Sequence, residues 1–306
     1  MTTQLQSNFP DFFGTTKLPE LGAVITVKKE SYPSMIPFIF NEEPMDREID
    51  QSTTFSGLRN PSLKQEGQPV SFQTMFPGFD KTYTALSYAT GYRITKEMVR
   101  DGKINMIKRA TDSFAKGMYE IRELKAAQVF DDGFTVNGPD GVPLFSAVHP
   151  LENGGGAVGA NRPAAASVLS TTSFKELRNI MQNTVNEQGQ RVKYMMNTLL
   201  VPQALQDTAL EIIKSSHNPN NANNTINTLY GVLNVVPGDC WQYLESDTAW
   251  FILASKMDHN LKFRDRQPME VTTDYDKYSF AHEIIADCRF DQGYDTWRGV
   301  CGNPGA

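Results

Sequence analysis

The chain has 306 residues and a mass of 34.2 kDa, enough for one large domain or two modest ones with ample core. Hydrophobic residues make up 40% and charged residues 21%, a globular balance that excludes a disordered tail. The net charge of −6 and pI of about 5.3 argue against a surface that grips nucleic acid by neutralising phosphates, while leaving room for a wall that lies beside it.

Cys240, Cys288 and Cys301 form no CxxC pair, and an odd count fits neither a disulfide framework nor a zinc site. The N-terminus, MTTQLQSNFPDFFG, lacks the basic-then-apolar order of a signal peptide. No apolar run reaches the roughly 18 to 20 residues of a membrane span. A soluble protein, intracellular at synthesis, is the expectation.

The first forty-odd residues carry Pro10, Pro19, Pro33, Pro37 and Pro44 among short apolar pieces. Proline fixes φ and biases the residue before it toward extended backbone, so residues 1–45 read as an arm lying across a neighbour. Phe9, Phe12, Phe13, Tyr32, Phe38 and Phe40 favour burial of that arm. From Arg47 to Asp80 the chain is polar and turn-rich, with few core residues. A connection this long is uncommon inside a compact domain, and a two-stranded excursion is the expected form. Leu86, Tyr88, Thr90, Tyr92 and Ile94 then alternate as a returning strand.

Thr95 is placed to cap a short helix that Asp101-Gly102 interrupts. Over about 103–130, Ile107, Ala110, Phe114, Met118, Ile121 and Leu124 recur at three- and four-residue steps among charges. This predicts one amphipathic helix roughly 40 Å long, a spine for a sheet to pack on. The stretch Asp132 to Pro150, DGFTVNGPDGVPLFSAVHP, follows it with turn signals and a His-Pro stop, but no nucleophile or metal cluster. Beyond it the pattern predicts a helix capped by Ser173 and ending near Asn186, a strand at Leu199–Val201 stopped by Pro202, and a helix over 203–214. The Asn-rich run 217–227 reads as a surface loop. Strands are expected at 231–236, 248–254, 268–272, 279–286 and 296–300.

Residues Gly154 to Gly159 satisfy GxGxxG, yet both flanks are loop-like where a dinucleotide site needs a strand and a helix. His149 before a proline reads as a packing or turn residue. His259 beside Asp258 lacks an accompanying nucleophile motif, and Asp131-Asp132 and Asp274-Tyr275-Asp276 lack the oxygen spacing of a calcium loop. Arg47, Asp50, Arg59, Lys64, Glu66 and Lys81 in the excursion are candidates for intersubunit contacts, each pair worth little alone. No catalytic residue, cofactor or metal is expected.

The segment Gly141 to Pro150 and the phrase Val201 to Ala209 follow the spine helix in an order that resembles the major capsid proteins of tailed bacteriophages, Mu-like major head subunits in particular. In that family the patterns G-x-x-L/F-F-x-x-x-H-P and VP-x-x-L-x-x-x-A occupy these places, and Tyr230 to Val236 has a counterpart. The resemblance covers the chain from about residue 45. It implies an α+β HK97-type shell fold: N-arm 1–45, E-loop and return strand 46–94, P-domain 95–190, A-domain 191–280, and a return to the P-domain over 281–306. The implied protein is a virion subunit, made in the host cytoplasm, whose copies form hexamers and pentamers of an icosahedral head. It would enclose double-stranded DNA without sequence-specific binding. Its other partners would be a portal, possibly a decoration protein, and a separate scaffolding protein, since Met1 opens directly into the arm. No lysine matches the family's crosslinking position, so no crosslink is expected. The rivals are an encapsulin-like nanocompartment shell and a nucleotide-dependent enzyme using the Gly154–Gly159 loop.

Overall fold

The computed structural model describes residues 34–306 apart from 56, 59, 74–76, 151–157, 187–188, 218–225, 232 and 236–240. The arm before Ser34, most of the GxGxxG loop, Cys240 and Arg59 therefore lie outside the described residues.

The inner end of the arm is part of the core. Helix α1 (Ile36–Ile39) carries Pro37 in its first turn, where a missing N–H costs nothing, and strand β1 (Asn41–Pro44) follows. Ile36, Ile39 and Phe40 are buried, with the Phe40 ring edge-on to Phe130 and Phe263. The polar stretch forms an antiparallel hairpin, β2 (Ile49–Phe55) against β3 (Pro77–Thr84), with Ile49 opposite Thr84. Between them the described residues of 58–73 have no regular structure and are exposed. The returning strand β4 (Leu86–Thr95) ends on Thr95, whose side chain accepts from the Met98 N–H and caps helix α2 (Lys96–Arg100).

The spine is helix α3 (Ile104–Asp131), 28 residues and so about 42 Å long. Its buried stripe differs from the expected one. Ala110 and Leu124 face solvent, while Thr111 and Ala115 are buried. Thr111 is tolerated there because its hydroxyl bonds the Ile107 carbonyl (3.0 Å) and the Tyr92 hydroxyl (2.6 Å). After a 3-10 turn (Asp132–Phe134), β5 (His149–Pro150) pairs with β6 (Val158–Gly159).

Helix α4 (Thr171–Gln182) starts earlier and ends sooner than expected. Ser170 is its cap, and Ser173 is the reciprocal partner in the capping box. Strand β7 (Met196–Leu200) leads through Pro202 and a 3-10 turn into helix α5 (Gln206–Lys214). The strand expected at 231–236 shrinks to β8 (Asn234–Val235), and β9 (Trp250–Ala254) is the wholly buried centre of a sheet. Two longer strands replace the expected short ones: β10 (Leu261–Asp276) and β11 (Ala281–Tyr294) make one hairpin, and β12 (Val300–Asn303) ends the chain's regular structure.

Two four-stranded sheets result, in the orders β1-β10-β11-β4 and β12-β9-β7-β8. The first carries α3 on one face. A boundary at residue 280 would cut the β10–β11 hairpin, and β12 pairs with β9 in the second sheet instead of returning to the first. Long strands explain the first difference: polar residues such as Arg264 and Glu270 break the apolar run, and the pairing continues past register shifts between Asp265 and Glu270. One core joins Phe130, Phe145, Phe251 and Trp241 beneath the first sheet. A second gathers Phe174, Leu177, Ile212 and Trp250 around the other.

Candidate functional site

The marked segment holds an Asp–His pair that resembles half of a hydrolytic triad, and its geometry decides against catalysis. The Asn161 side-chain NH2 donates to the carbonyls of Leu144 (2.6 Å) and Val300 (3.1 Å), so its Oδ1 is an acceptor, bonded by the Ser146 N–H at 2.9 Å. His149 Nε2 lies 3.1 Å from that same oxygen. Nδ1 faces Asp140 Oδ2 at 2.6 Å, and the ring stacks on Trp297 at 4.4 Å between centroids. A general base needs a free nitrogen in reach of a substrate. His149 is wholly buried and both its nitrogens are occupied. It ties the Asp132–Pro150 segment to the chain's last turn and strand.

The other concentration of chemistry is the root of the β2–β3 hairpin. Strand alternation turns Tyr83 inward, where it is fully buried and its hydroxyl donates to Asp295 Oδ1 at 2.7 Å. Asp295 Oδ2 accepts from the Ser52 hydroxyl (2.8 Å) and from Lys262 Nζ (2.9 Å). Lys262 and Arg264, two residues apart on β10, both reach Glu43 on β1, at 3.3 and 3.2 Å. Arg264 also pairs with Asp50 and lies 4.5 Å from the centre of the Tyr83 ring. The Thr84 N–H donates to Asp291 Oδ2 at 2.7 Å. Burial raises the Tyr83 hydroxyl pKa, and the Asp295 charge and hydrogen bond raise it further. Burial also raises Asp291, against the hydrogen bond from Thr84. The root is thus clamped to the first sheet by a polar network in which the buried Arg264 Nε has no hydrogen-bond partner. Beside it a cleft of about 510 Å³ opens between β2, Asn186, Val192, Tyr194 and Arg298.

The predicted contact residues divide. Asp50 is paired within its own chain, and Lys81 lies 5.8 Å from the Tyr83 ring centre and 6.0 Å from that of Tyr294. Arg47 is exposed in the bend before β2, and Lys64 and Glu66 are exposed on the excursion. The structure does not bring these residues together as a site. Sequence reasoning missed Glu43, Tyr83, Lys262, Arg264 and Asp295. The signal was two cations on alternate positions, Lys262 and Arg264, on the same side of a strand. It also missed Glu123, buried on α3, which accepts from the Ser34 hydroxyl (2.6 Å), the Met35 N–H (3.2 Å) and the Trp241 Nε1–H (3.2 Å). That carboxylate fixes where the arm enters the core.

Among the described residues no group of three His, Cys, Asp or Glu side chains is placed to hold a metal, and no helix is long and apolar enough to cross a membrane. His259 is buried, which lowers its pKa to about 4, with Lys256 adding to the effect.

A family model described as phage capsid protein matches residues 79–303. No curated protein matches the chain. Solved structures share its fold at low identity. The capsid of bacteriophage JBD30, decorated with minor capsid protein trimers, aligns over 70% of this chain and 92% of its own, with 13% identity and a TM-score of 0.56. The capsid of Myoviridae phage XM1 covers 90% and 93%, with 9% identity and a TM-score of 0.52. A virus-like particle from Pyrococcus furiosus covers 93% and 98%, with 6% identity and a TM-score of 0.53.

Proposed function

The chain belongs to the phage capsid protein family and has the HK97-type capsid fold of a major capsid protein; we propose that it is a Mu-like head subunit whose copies close into an icosahedral shell of hexamers and pentamers around double-stranded DNA. The observation that carries the assembly reading is the excursion between β2 and β3. Leu58, Leu63, Val70 and Phe72 on it are all exposed, Leu63 and Phe72 at 94% and 96%, and such a gathering of apolar side chains on one segment marks an interaction surface. The same excursion springs from a buried, clamped root. Such a loop is held ready to cover another molecule, and in a homomeric shell that molecule is the next copy.

In this reading the peripheral domain is α3 with the β1-β10-β11-β4 sheet, and the axial domain is the β12-β9-β7-β8 sheet with α4 and α5. Arg47, Arg59, Lys64 and Glu66 serve as contacts to neighbours. Asp50 and Lys81 act on the root of their own E-loop. A portal and a scaffolding protein complete assembly, and a decoration protein is a further candidate partner. The virion is the destination, reached from the host cytoplasm.

Negative-stain microscopy of the expressed chain, with and without the products of its neighbouring genes, tests the proposal. Closed shells of one size are expected. Small discrete oligomers under every condition would overturn it. Portal and terminase genes beside the coding sequence support a head, whereas a cargo-enzyme gene there supports the nanocompartment reading.

A further inference from the structure

The wall formed by α3 and its sheet is charged differently on its two sides. Ile107 and Ala115 of α3 pack with Ile94 and Ile284, and Thr111 and Phe114 lie on the same side, which turns the opposite side of the helix's N-terminal half to solvent. Residues 100–116 carry five exposed cations, Arg100 at the end of α2, Lys103 just before α3 and Lys108, Arg109 and Lys116 on α3, against two acids, Asp101 and Asp112. Lys103 is paired with Asp101 and Lys116 with Glu120. Lys108 and Arg109 join no ion pair among the described residues.

On the sheet's far side the pairing register sets acid against acid. Glu270 stands opposite Asp287, and Asp274 opposite Glu283. Like charges directly opposite on an antiparallel pair destabilise it. Arg93 relieves Glu283 (2.7 Å) and Gln267 donates to Asp287 (3.0 Å), but Glu270 and Asp274 remain exposed. A chain whose net charge is −6 therefore gathers cations on one surface of a two-layer wall and acids on the other.

In a closed shell one of those surfaces faces the contents. We infer that the solvent face of the N-terminal half of α3 lines the interior and lies against the phosphate backbone of the packaged double-stranded DNA, while the acidic face of the β10–β11 hairpin points outward. This rests on the head-subunit reading above. Charge complementarity selects the occupant: a dense polyanion is attracted to Lys108 and Arg109 and repelled by Glu270 and Asp274. The contact carries no base readout, because Lys108 and Arg109 would neutralise phosphates, which hold no sequence information of their own.

The test compares three forms of the full-length, unassembled chain binding a duplex oligonucleotide between 50 and 200 mM salt: the natural sequence, Lys108→Ala with Arg109→Ala, and Glu270→Gln with Asp274→Asn. Loss of two phosphate contacts lowers the salt slope by about 1.8, so the helix variant loses on the order of tenfold less affinity than the natural chain across that range. The sheet variant keeps the natural slope. An unchanged slope in the helix variant, with shells still forming in negative stain, overturns the inference and leaves the capsid reading intact. A helix variant that binds DNA normally but no longer forms shells overturns it in favour of a protein partner on that face. Absence of shells from the natural chain itself counts against the parent reading instead.

Discussion

Replacing Asp295 with alanine isolates what holds the E-loop root. Its carboxylate has one oxygen on the Tyr83 hydroxyl and the other shared by Ser52 and Lys262, and its side chain is 7% exposed. Asp295→Ala strands a buried hydroxyl and leaves a largely buried ammonium with Glu43 alone, 3.3 Å away. Removing one member of a buried charge pair costs about 3–5 kcal/mol when the partner is left uncompensated; Glu43 still compensates Lys262, so about 2–3 kcal/mol is expected. Tyr83→Phe removes only one hydrogen bond and leaves Asp295 with two donors, so about 1 kcal/mol is expected. The two changes should not add: once Asp295 is gone, Tyr83→Phe should cost nothing further or restore a few tenths. Urea unfolding of the unassembled chain measures all three variants. Amide exchange on β2 and β3 shows whether the loss is local to the hairpin, as the geometry requires. Costs below about 1 kcal/mol for Asp295→Ala, or strict additivity with Tyr83→Phe, would refute the clamp.

Other outcomes follow from single contacts. Because burial depresses His259, the unfolded chain takes up its proton first. Its contribution is complete above pH 6.5 and is lost as pH falls toward 4, reaching about 2–3 kcal/mol at pH 4.5; unfolding of the natural chain and His259→Gln at pH 7 and 4.5 should differ by that amount. Asn161→Ala leaves three carbonyls, the Ser146 N–H and His149 Nε2 without their partner, so a loss of roughly 3 kcal/mol or more in denaturant titration is expected. A Cβ at Gly302 or Gly133 would sit 2.7 Å from the Phe145 ring, so either alanine variant should lose about 1–3 kcal/mol by overpacking, seen as a lower Tm.

The sequence carried the architecture wherever a periodic pattern met a local stop signal. The spine helix, its Thr95-capped forerunner and the Pro202 break are all of this kind. The excursion was legible from the other direction, as 58–73 holds too little apolar surface to bury itself. Where tertiary context outweighed pattern, the reading fell short. Ser173 was indistinguishable from a cap because Ser170 and Ser173 are both serines at the right spacing. The hairpin of β10 and β11 read as two short strands, since Arg264, Glu270 and Asp274 are polar on one side of a sheet that neither composition nor spacing announces. The clamp at the root was illegible for a stronger reason. Glu43, Tyr83, Lys262 and Asp295 come from four distant segments, and only folding makes them neighbours. His149 shows the converse: adjacency to proline in the sequence suggested a packing role, and the bonds to Asp140 and Asn161 supply its physical content.

The central claim is that the exposed excursion is finished by a neighbouring copy. A cryo-EM reconstruction of the assembled particle reads this directly. The account predicts a closed icosahedral shell in which Leu63 and Phe72 of each subunit are buried against the next one. A shell in which residues 58–73 touch no other subunit, or purified protein that forms no closed particle with any combination of its genetic neighbours, would contradict it.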